Sequence, residues 1–225
     1  METTHGNTQD ARLTAGLAAA NSSTRLAAAL AIGTRGDAGF AEALVARCAI
    51  EPDFFVRDML TWALTRLPTD STIPRLRAEL RSERAQARSQ ALHTLSKIGD
   101  ATVWPAITRS LLRDADDEVA RSAWRAAVVL VPDDEKERLA IELATQLGRG
   151  DLEVRLSLSR ALVALGEVIE PVLRTAAAGA DPDVRAHAGA TERLLHDPDA
   201  GFDLAVDAAR RVVALGPERA ESSPC

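Results

Sequence analysis

The run DFFVRDMLTWALTR, residues 53–66, is the stretch that decides the fold. Val56, Leu60 and Leu64 are spaced four residues apart, which places them on one face of an α-helix. Asp53 stands three residues before Val56 and predicts an N-cap, because its carboxylate can accept the free backbone N–H groups of the first turn. The stretch therefore predicts a capped amphipathic helix.

The same pattern recurs along the chain. Clear copies lie at residues 151–155 and 181–185, and weaker copies lie at 84–88, 116–120 and 24–25. Successive copies are 30 to 35 residues apart, and each continues through a turn into a second apolar stripe. Pro74, Pro105 and Pro171 are predicted to begin three of these second helices. A helix pair of this length cannot bury its stripe alone, so neighbouring pairs are expected to stack.

The predicted fold is all-α, an α-solenoid of about six helical hairpins. A C-terminal capping helix is expected over residues 201–215. We expect one domain over residues 11–215, with disordered tails at 1–10 and 216–225.

Composition excludes several classes of protein. Of the 225 residues, 46% are hydrophobic and only 3% aromatic, which favours close helix packing over a β-sandwich. No apolar run is long enough to predict a membrane span. Cys48 and Cys225 are the only cysteines, which excludes a disulfide framework and predicts a cytoplasmic location.

The repeated phrase resembles a known family. The Asp-x-x-Val-Arg-x-x-x-Leu pattern, the turn at Ile98-Gly99-Asp100 and the repeat period resemble HEAT repeats of the short kind first described in phycobilisome lyases. The resemblance extends over about four-fifths of the chain and implies an α-solenoid. Residues 53–66 also resemble actinobacterial HEAT proteins, some of which are associated with MerR-type transcription regulators. No MerR-like DNA-binding segment is visible, so the chain would be the partner or sensor of such a regulator.

The resemblance also implies a structural ladder, in which the arginine of each copy meets an acidic residue of the adjacent repeat. Charge-assisted bonds of this kind contribute roughly 1.5–3 kcal/mol each. The residues assigned to this ladder are Asp53, Arg57, Arg88, Asp151, Arg155, Asp181 and Arg185.

Candidate binding residues follow from the helical register. We assume that the first helices line the concave side, and that positions two, five, six and nine after the valine face the groove. Tryptophan and arginine are enriched at binding hot spots. The candidate set for partner binding is Asp58, Trp62, His93, Arg121, Trp124, Arg125 and Arg160. Thr61 and Ser89 share the groove-facing register. A tryptophan on an amphipathic helix is more often a core residue than an interface residue, so this alternative stays open for Trp62 and Trp124, and Trp124 in particular could pack against a neighbouring helix.

Catalysis has little support in the sequence. The four histidines show no metal-ligand spacing, and there is no Cys-x-x-Cys pair or glycine-rich phosphate loop. Cys48 lies on an apolar stripe and is predicted to be an inert small hydrophobic residue. No catalytic residue, metal site or cofactor is predicted.

Three functional hypotheses remain. The first is a non-enzymatic scaffold whose concave face binds a protein or peptide, with a transcription regulator as one partner. The second is nucleic-acid binding along the Arg/Trp stripe, which the net charge of −6 disfavours. The third is a tetrapyrrole lyase or chaperone, with His93 as its one groove-facing candidate, or a sensor of a small molecule.

Overall fold

A computed structural model describes residues 3–197, 210 and 213, with side chains from residue 8 onward. The chain divides into two compact units, Met1–Ala126 and Ala127–Cys225. No strand occurs among the described residues, which confirms the all-α class. The helices of the first unit are α1 (Thr3–Leu17), α2 (Ser22–Arg35), α3 (Ala41–Cys48), α4 (Phe54–Arg66), α5 (Thr69–Glu79), α6 (Ala85–Ile98), α7 (Arg109–Leu112) and the part of α8 (Asp117–Leu130) up to Ala126. Those of the second unit are α9 (Lys136–Ala144), α10 (Leu152–Val163), α11 (Glu170–Ala177) and α12 (Pro182–His196).

In the first unit, helices that are neighbours in the sequence are also neighbours in space. The first helices of successive copies, α2, α4 and α6, pack against one another in chain order. The second helices α3 and α5 form another layer, in which α3 packs against α4 and α5, and α5 against α6. Val56, Leu60 and Leu64 are fully buried between these layers, as their spacing predicts. This arrangement of stacked hairpins confirms the α-solenoid class.

The second unit repeats the arrangement. The first helices α10 and α12 pack against each other, while α9 packs against α10 and α11, and α11 against α12. Leu158 and Leu162 of α10 are buried, four and eight residues after Val154. The same apolar spacing therefore produces the same packing in both units.

Aspartate caps start the strongest copies. One Asp53 carboxylate oxygen accepts the backbone N–H groups of Phe55 (2.9 Å) and Val56 (3.1 Å), and Asp53 itself is extended. Asp151 and Asp181 cap α10 and α12 in the same way. The N-cap predictions are confirmed, because a carboxylate at this position satisfies donors that have no partner within the helix.

The prediction that proline begins each second helix is confirmed at one copy and wrong at two. Pro171 lies in the first turn of α11. Pro74 lies well inside α5, which begins at Thr69, and Pro105 lies in the 3-10 segment Ala101–Ala106 that precedes α7. In α5 the N-cap residue Pro68 accepts the N–H groups of Ser71 and Thr72, so the helix starts before the predicted proline.

Several predicted boundaries stay predictions. The capping helix over 201–215 and the tail over 216–225 lie outside the described residues, apart from 210 and 213. The predicted N-terminal tail overlaps α1, which begins at Thr3. Within the described part of the chain, no helix has both the length and the apolar character needed to cross a membrane.

Candidate functional site

The two adjacent register positions five and six differ in exposure in five of the six copies. Position six is exposed or half-buried in Leu30, Trp62, His93, Arg125 and Arg160. Position five is buried in Ala29, Thr61, Leu92, Trp124 and Ser159. The last copy is the exception, because Ala190 at position six is buried and Gly189 at position five is half-buried. Residues in a helix advance by 100°, so position six lies opposite the core stripe while position five lies on a flank. Where the first helix of a neighbouring copy packs on that flank, the side chain at position five is buried and cannot contact a binding partner.

Trp124 is therefore not available on the surface. Its side chain is 0% exposed, and its indole Nε1 donates a hydrogen bond to the Leu112 carbonyl (2.8 Å). The assignment of Trp124 to partner binding is wrong, because this indole fills the core and satisfies its one polar atom there. The open alternative, a core tryptophan, is the correct one.

A cavity of about 280 Å³ opens between α4, α6 and α8 in the first unit. It brings together three of the predicted binding residues, Asp58, His93 and Arg125. Trp62 and Arg121 do not line it, and Arg160 belongs to the second unit. The full lining is Phe54, Arg57, Asp58, Thr61, Ser89, Gln90, His93, Glu118, Ser122 and Arg125.

The sequence analysis missed Phe54, and a signal for it existed. Phe54 is the first residue of α4 and is 65% exposed, and Phe55 beside it is 73% exposed. Their rings meet edge to face, with centroids 5.6 Å apart. Two adjacent aromatic residues before the core valine cannot both turn inward, since residues next to each other on a helix point about 100° apart.

The cavity contains an arginine without a carboxylate partner. Arg125 donates a hydrogen bond to the Ser122 hydroxyl (3.1 Å) and forms no ion pair in the described part of the chain. Partial burial lowers the pKa of Arg125, and the nearby Arg121 lowers it further, while Glu118 opposes both. Glu118 itself pairs with Arg121 (2.8 Å). Arg125 is thus an exposed arginine whose charge no ion pair neutralises, although Glu118 lies near it.

His93 shares this environment. Burial lowers the pKa of its imidazole, and the positive charges of Lys97 and Arg125 lower it further, against a smaller effect of Asp58. These effects favour the neutral form of the His93 imidazole, and its pKa responds to the charges around the cavity.

Thr61 also lines the cavity, and its hydroxyl has no partner. The side chain is 4% exposed, and Oγ1 makes no hydrogen bond in the structure. A buried hydroxyl without a partner costs roughly 1–3 kcal/mol, so such groups are rare in folded proteins. The hydroxyl of Thr61 is consequently a buried group at the cavity wall with an unused capacity to form a hydrogen bond.

The arginines assigned to the ladder all donate hydrogen bonds to backbone carbonyls of their own repeat, which the prediction did not include. Arg57, Arg88 and Arg185 each donate to two backbone carbonyls five and six residues earlier, and Arg155 donates to the Gly150 carbonyl. Each arginine thus stabilises the loop that precedes its own helix through these hydrogen bonds. This contact is local and explains why the residue recurs in every strong copy.

Only some of these arginines reach an acidic residue of the next repeat. Arg88 forms two bonds to Asp114, 2.9 and 3.0 Å long, and Arg155 lies 3.6 Å from Asp183. Arg57 and Arg185 pair with no carboxylate in the described chain. Of the four ladder arginines, Arg88 and Arg155 thus each reach a carboxylate of the next repeat.

The three aspartates assigned to the ladder do not take part in it. Asp53, Asp151 and Asp181 use a carboxylate oxygen to cap their own helices, and none of them forms an ion pair with a ladder arginine. This part of the ladder prediction is wrong. Capping involves only residues of the same helix and can form with it, whereas a ladder contact requires a second repeat to pack alongside.

The most complete arginine–acid cluster surrounds Glu51, which the sequence analysis did not single out. Arg25 donates from Nε and Nη2 to its two carboxylate oxygens (both 2.7 Å), and Arg47 donates to Oε2 (2.7 Å). The backbone N–H of Asp53 adds a fourth bond (2.9 Å). Burial raises the pKa of the Glu51 carboxyl, but the bonds from Arg25 and Arg47 outweigh it and lower the pKa to about 2.

Two further reactive side chains of the described chain, His187 and Cys48, are buried. The ring of His187 accepts the Gly148 N–H at Nδ1 (3.0 Å), and its Nε2 lies 3.0 Å from the Ser159 hydroxyl. Both side chains are buried, so a substrate has no access to this serine–histidine pair. Cys48 is a buried free thiol, and burial raises its pKa to about 12, as expected for an inert residue. Among the described residues, no group of His, Cys, Asp and Glu side chains could hold a metal ion.

A second cavity, of about 550 Å³, lies between α5 and the segment around α7. It is larger, but none of the predicted binding residues lines it. The cavity between α4, α6 and α8 therefore remains the candidate site.

Comparison with known proteins agrees with the interpretation of this region. Residues 51–128 match the family model for HEAT repeats, a stretch that contains α4 to α7 and most of α8. No curated protein matches the chain. The match supports a HEAT-repeat protein over the region that forms the cavity.

The chain is also similar to a number of solved structures. One is the complex of CpcE and CpcF of phycocyanin lyase from Nostoc sp. PCC7120, with 20% identity, a TM-score of 0.47, and coverage of 90% of this chain and 85% of that chain. Another is an engineered protein from the Northeast Structural Genomics Consortium, with 21% identity, a TM-score of 0.46, and coverage of 88% and 96%. A second engineered protein from the same consortium has 18% identity, a TM-score of 0.46, and coverage of 84% and 98%.

Proposed function

We propose that the chain is a non-enzymatic binding module, and that the face formed by α4, α6 and α8 in its first unit binds a protein partner. The observation that carries the proposal is the exposure of three aromatic side chains on α4: Phe54 and Phe55 at its start, and Trp62 two turns later, 38% exposed. Aromatic residues supply large contact areas at low entropic cost and are enriched at binding hot spots.

The polar groups beside these rings support the same proposal. Phe54 lines the cavity together with Thr61 and Arg125. The Thr61 hydroxyl has no hydrogen-bond partner, and Arg125 forms no ion pair with a carboxylate in the described chain. An apolar, aromatic centre bordered by polar groups is the usual composition of a protein-binding site. A free polar group there gives specificity, while the aromatic rings give affinity.

A transcription regulator is the partner class that we propose to test first. Its support is the resemblance of residues 53–66 to HEAT proteins associated with MerR-type regulators, and this stretch contains the exposed aromatic residues. The proposed location of the interaction is the cytoplasm, in keeping with the free thiol of Cys48.

The proposal can be tested with a photo-crosslinking amino acid placed at Phe54 in the full chain. The matched control position is Ile141, an apolar residue of the second unit that is similarly exposed. We expect a specific protein to crosslink at position 54 and not at 141, and to bind the chain when both are purified. The variant F54S/F55S should weaken that binding at least tenfold, whereas I141S should leave it unchanged. Equal crosslinking at both positions, or an unchanged affinity of F54S/F55S, would refute the proposal.

The other two hypotheses give distinct outcomes. Phosphate binding must weaken steeply between roughly 50 and 200 mM salt, so salt-sensitive capture of DNA or RNA would favour a nucleic-acid partner. The carboxylates of Asp58 and Glu118 in the cavity lining disfavour a polyanion there. A tetrapyrrole would give an absorbance shift on addition of haem or a bilin that is lost in H93A.

A further inference from the structure

Positive charge near the cavity between α4, α6 and α8 outweighs negative charge at two of its side chains. The lining itself holds two arginines, Arg57 and Arg125, and two carboxylates, Asp58 and Glu118. Lys97 and Arg121 stand beside it, and their charges act more strongly on His93 and Arg125 than those of Asp58 and Glu118 do. The chain as a whole carries a net charge of −6. A local positive field in such a protein favours an anionic group as the occupant.

Two of these cations already have partners and a third lies outside the cavity lining, which leaves Arg125 as the binding group. Arg57 donates to the Glu51 and Pro52 carbonyls, and Arg121 pairs with Glu118. Lys97 lies outside the cavity lining. The planar guanidinium of Arg125, held by one bond to Ser122, can donate two parallel hydrogen bonds to a carboxylate.

The neutral groups of the cavity fit the same ligand. The unpartnered hydroxyl of Thr61 can donate to a carboxylate oxygen, and the exposed ring of Phe54 provides an apolar wall at the same cavity. A phosphate dianion would meet stronger repulsion from Asp58 and Glu118 than a monoanion does. The volume of about 280 Å³ admits one side chain or a short chain end rather than a folded element.

We propose that this cavity binds a carboxylate of the protein partner, held by the Arg125 guanidinium and the Thr61 hydroxyl, with an adjacent apolar group against Phe54. The carboxylate belongs either to an acidic side chain or to the C-terminus of the partner. The inference rests on the proposed function, because it names the chemical group that the same face recognises.

A small probe tests this chemistry without the partner. The probe is 4-phenylbutyrate, which joins a carboxylate to a phenyl ring, and its control is the uncharged 4-phenylbutyramide. For a fragment of this size we expect a dissociation constant on the order of 1 mM. Binding is followed by NMR through the ring signals of His93, whose pKa should rise when a negative charge enters the cavity. The amide should bind at least tenfold more weakly and leave that pKa unchanged.

Two variants and one control assign the effect to the cavity. R125Q should weaken probe binding at least tenfold, and the matched control R160Q, at position six in the second unit, should bind normally. T61V removes only the hydroxyl, so it should weaken binding while the protein stays at least as stable, since that hydroxyl has no partner in the free chain. A merely structural role of Thr61 would instead lower stability.

Two peptides distinguish the source of the carboxylate. One is an amidated pentapeptide with a single glutamate next to a phenylalanine, and the other has its C-terminus as its only carboxylate. Binding of either one that depends on Arg125 supports the inference. If neither peptide nor 4-phenylbutyrate shifts the His93 signals, or if R125Q responds as the wild type does, the inference is wrong. The proposed function would still stand if F54S/F55S loses the partner while R125Q retains it.

Discussion

Replacing Glu51 with glutamine should destabilise the first unit strongly. The Glu51 carboxylate is fully buried and receives two bonds from Arg25, one from Arg47 and one from the Asp53 backbone. Glutamine has nearly the same shape, but it offers one acceptor oxygen and turns an N–H group toward the arginine donors. The buried charge of Arg25 then loses its counter-charge, which is the costly way to break such a pair.

The magnitude follows from the protonation equilibrium of Glu51. Its pKa is lowered from 4.5 to about 2, because the bonds from Arg25 and Arg47 outweigh the cost of burial. Discounted for the solvent near Arg47, whose side chain is 16% exposed, this difference corresponds to about 2–3 kcal/mol at neutral pH. Uncompensated buried charges cost about 3–5 kcal/mol. We therefore expect E51Q to lower the free energy of unfolding by about 3–4 kcal/mol.

The sign of the pH dependence is fixed by the same shift. A carboxyl whose pKa is lowered in the folded state contributes its full stabilisation above pH 4.5, and loses it as the pH falls toward about 2. The stability difference between wild type and E51Q should thus be constant from pH 7 to 5 and shrink below pH 4.5.

Urea unfolding followed by tryptophan fluorescence measures this effect in the relevant unit. All three tryptophans, Trp62, Trp104 and Trp124, belong to Met1–Ala126, so their emission reports that unit alone. The matched control is E83Q. Glu83 lies as many residues after Arg57 as Glu51 lies after Arg25. Unlike Glu51, however, Glu83 is exposed and forms no ion pair with the corresponding arginine. We expect E83Q to change stability by less than about 0.5 kcal/mol. An equal effect of E51Q and E83Q would refute the reasoning.

Two further predictions concern His187 and Gly33. Burial lowers the pKa of His187 from 6.5 to about 4, so its stabilisation should be complete above pH 6.5 and fall by about 3 kcal/mol toward pH 4. Its NMR titration should show a neutral ring above pH 5, and a stability difference from H187N that does not change between pH 7 and 4 would contradict this. A Cβ at Gly33 would clash with the Trp62 ring and lie 2.8 Å from the Ala63 Cα. G33A should therefore cost about 1–2 kcal/mol in urea unfolding, although alanine normally favours a helix by about 1 kcal/mol, and unchanged stability would show that α2 and α4 can separate freely.

Much of the candidate site could be predicted from the register. Position six after the valine is accessible in five copies, and the structure brings Asp58, His93 and Arg125 to one cavity. The lining residue Phe54 was missed because only positions after the valine were considered as groove-facing, and Phe54 lies before the valine in the first turn of the helix. Trp124 was misplaced, since position five is exposed on an isolated helix and becomes buried only when a neighbouring helix packs on that flank.

The arginine contacts show the same limit. The recurrence of arginine after the valine predicted a structural role, and the bonds from Arg57, Arg88 and Arg185 to nearby carbonyls are local enough to follow from the repeat. Which acidic residue each arginine meets was not predictable. Arg25 and Arg88 both pair with an acid 26 residues later, whereas Arg57 does not use Glu83 at the same spacing.

The amino-acid sequence by itself determined the helices, their capping aspartates and the stacking of hairpins in chain order, because these features depend on spacings of a few residues and on an apolar stripe that must be buried. The tertiary structure alone decided which flank of each helix is covered, which carboxylate each arginine reaches, and that Thr61 and Arg125 meet at one cavity. Those outcomes depend on how closely adjacent helices approach, and this distance is set by side chains about thirty residues apart in the chain.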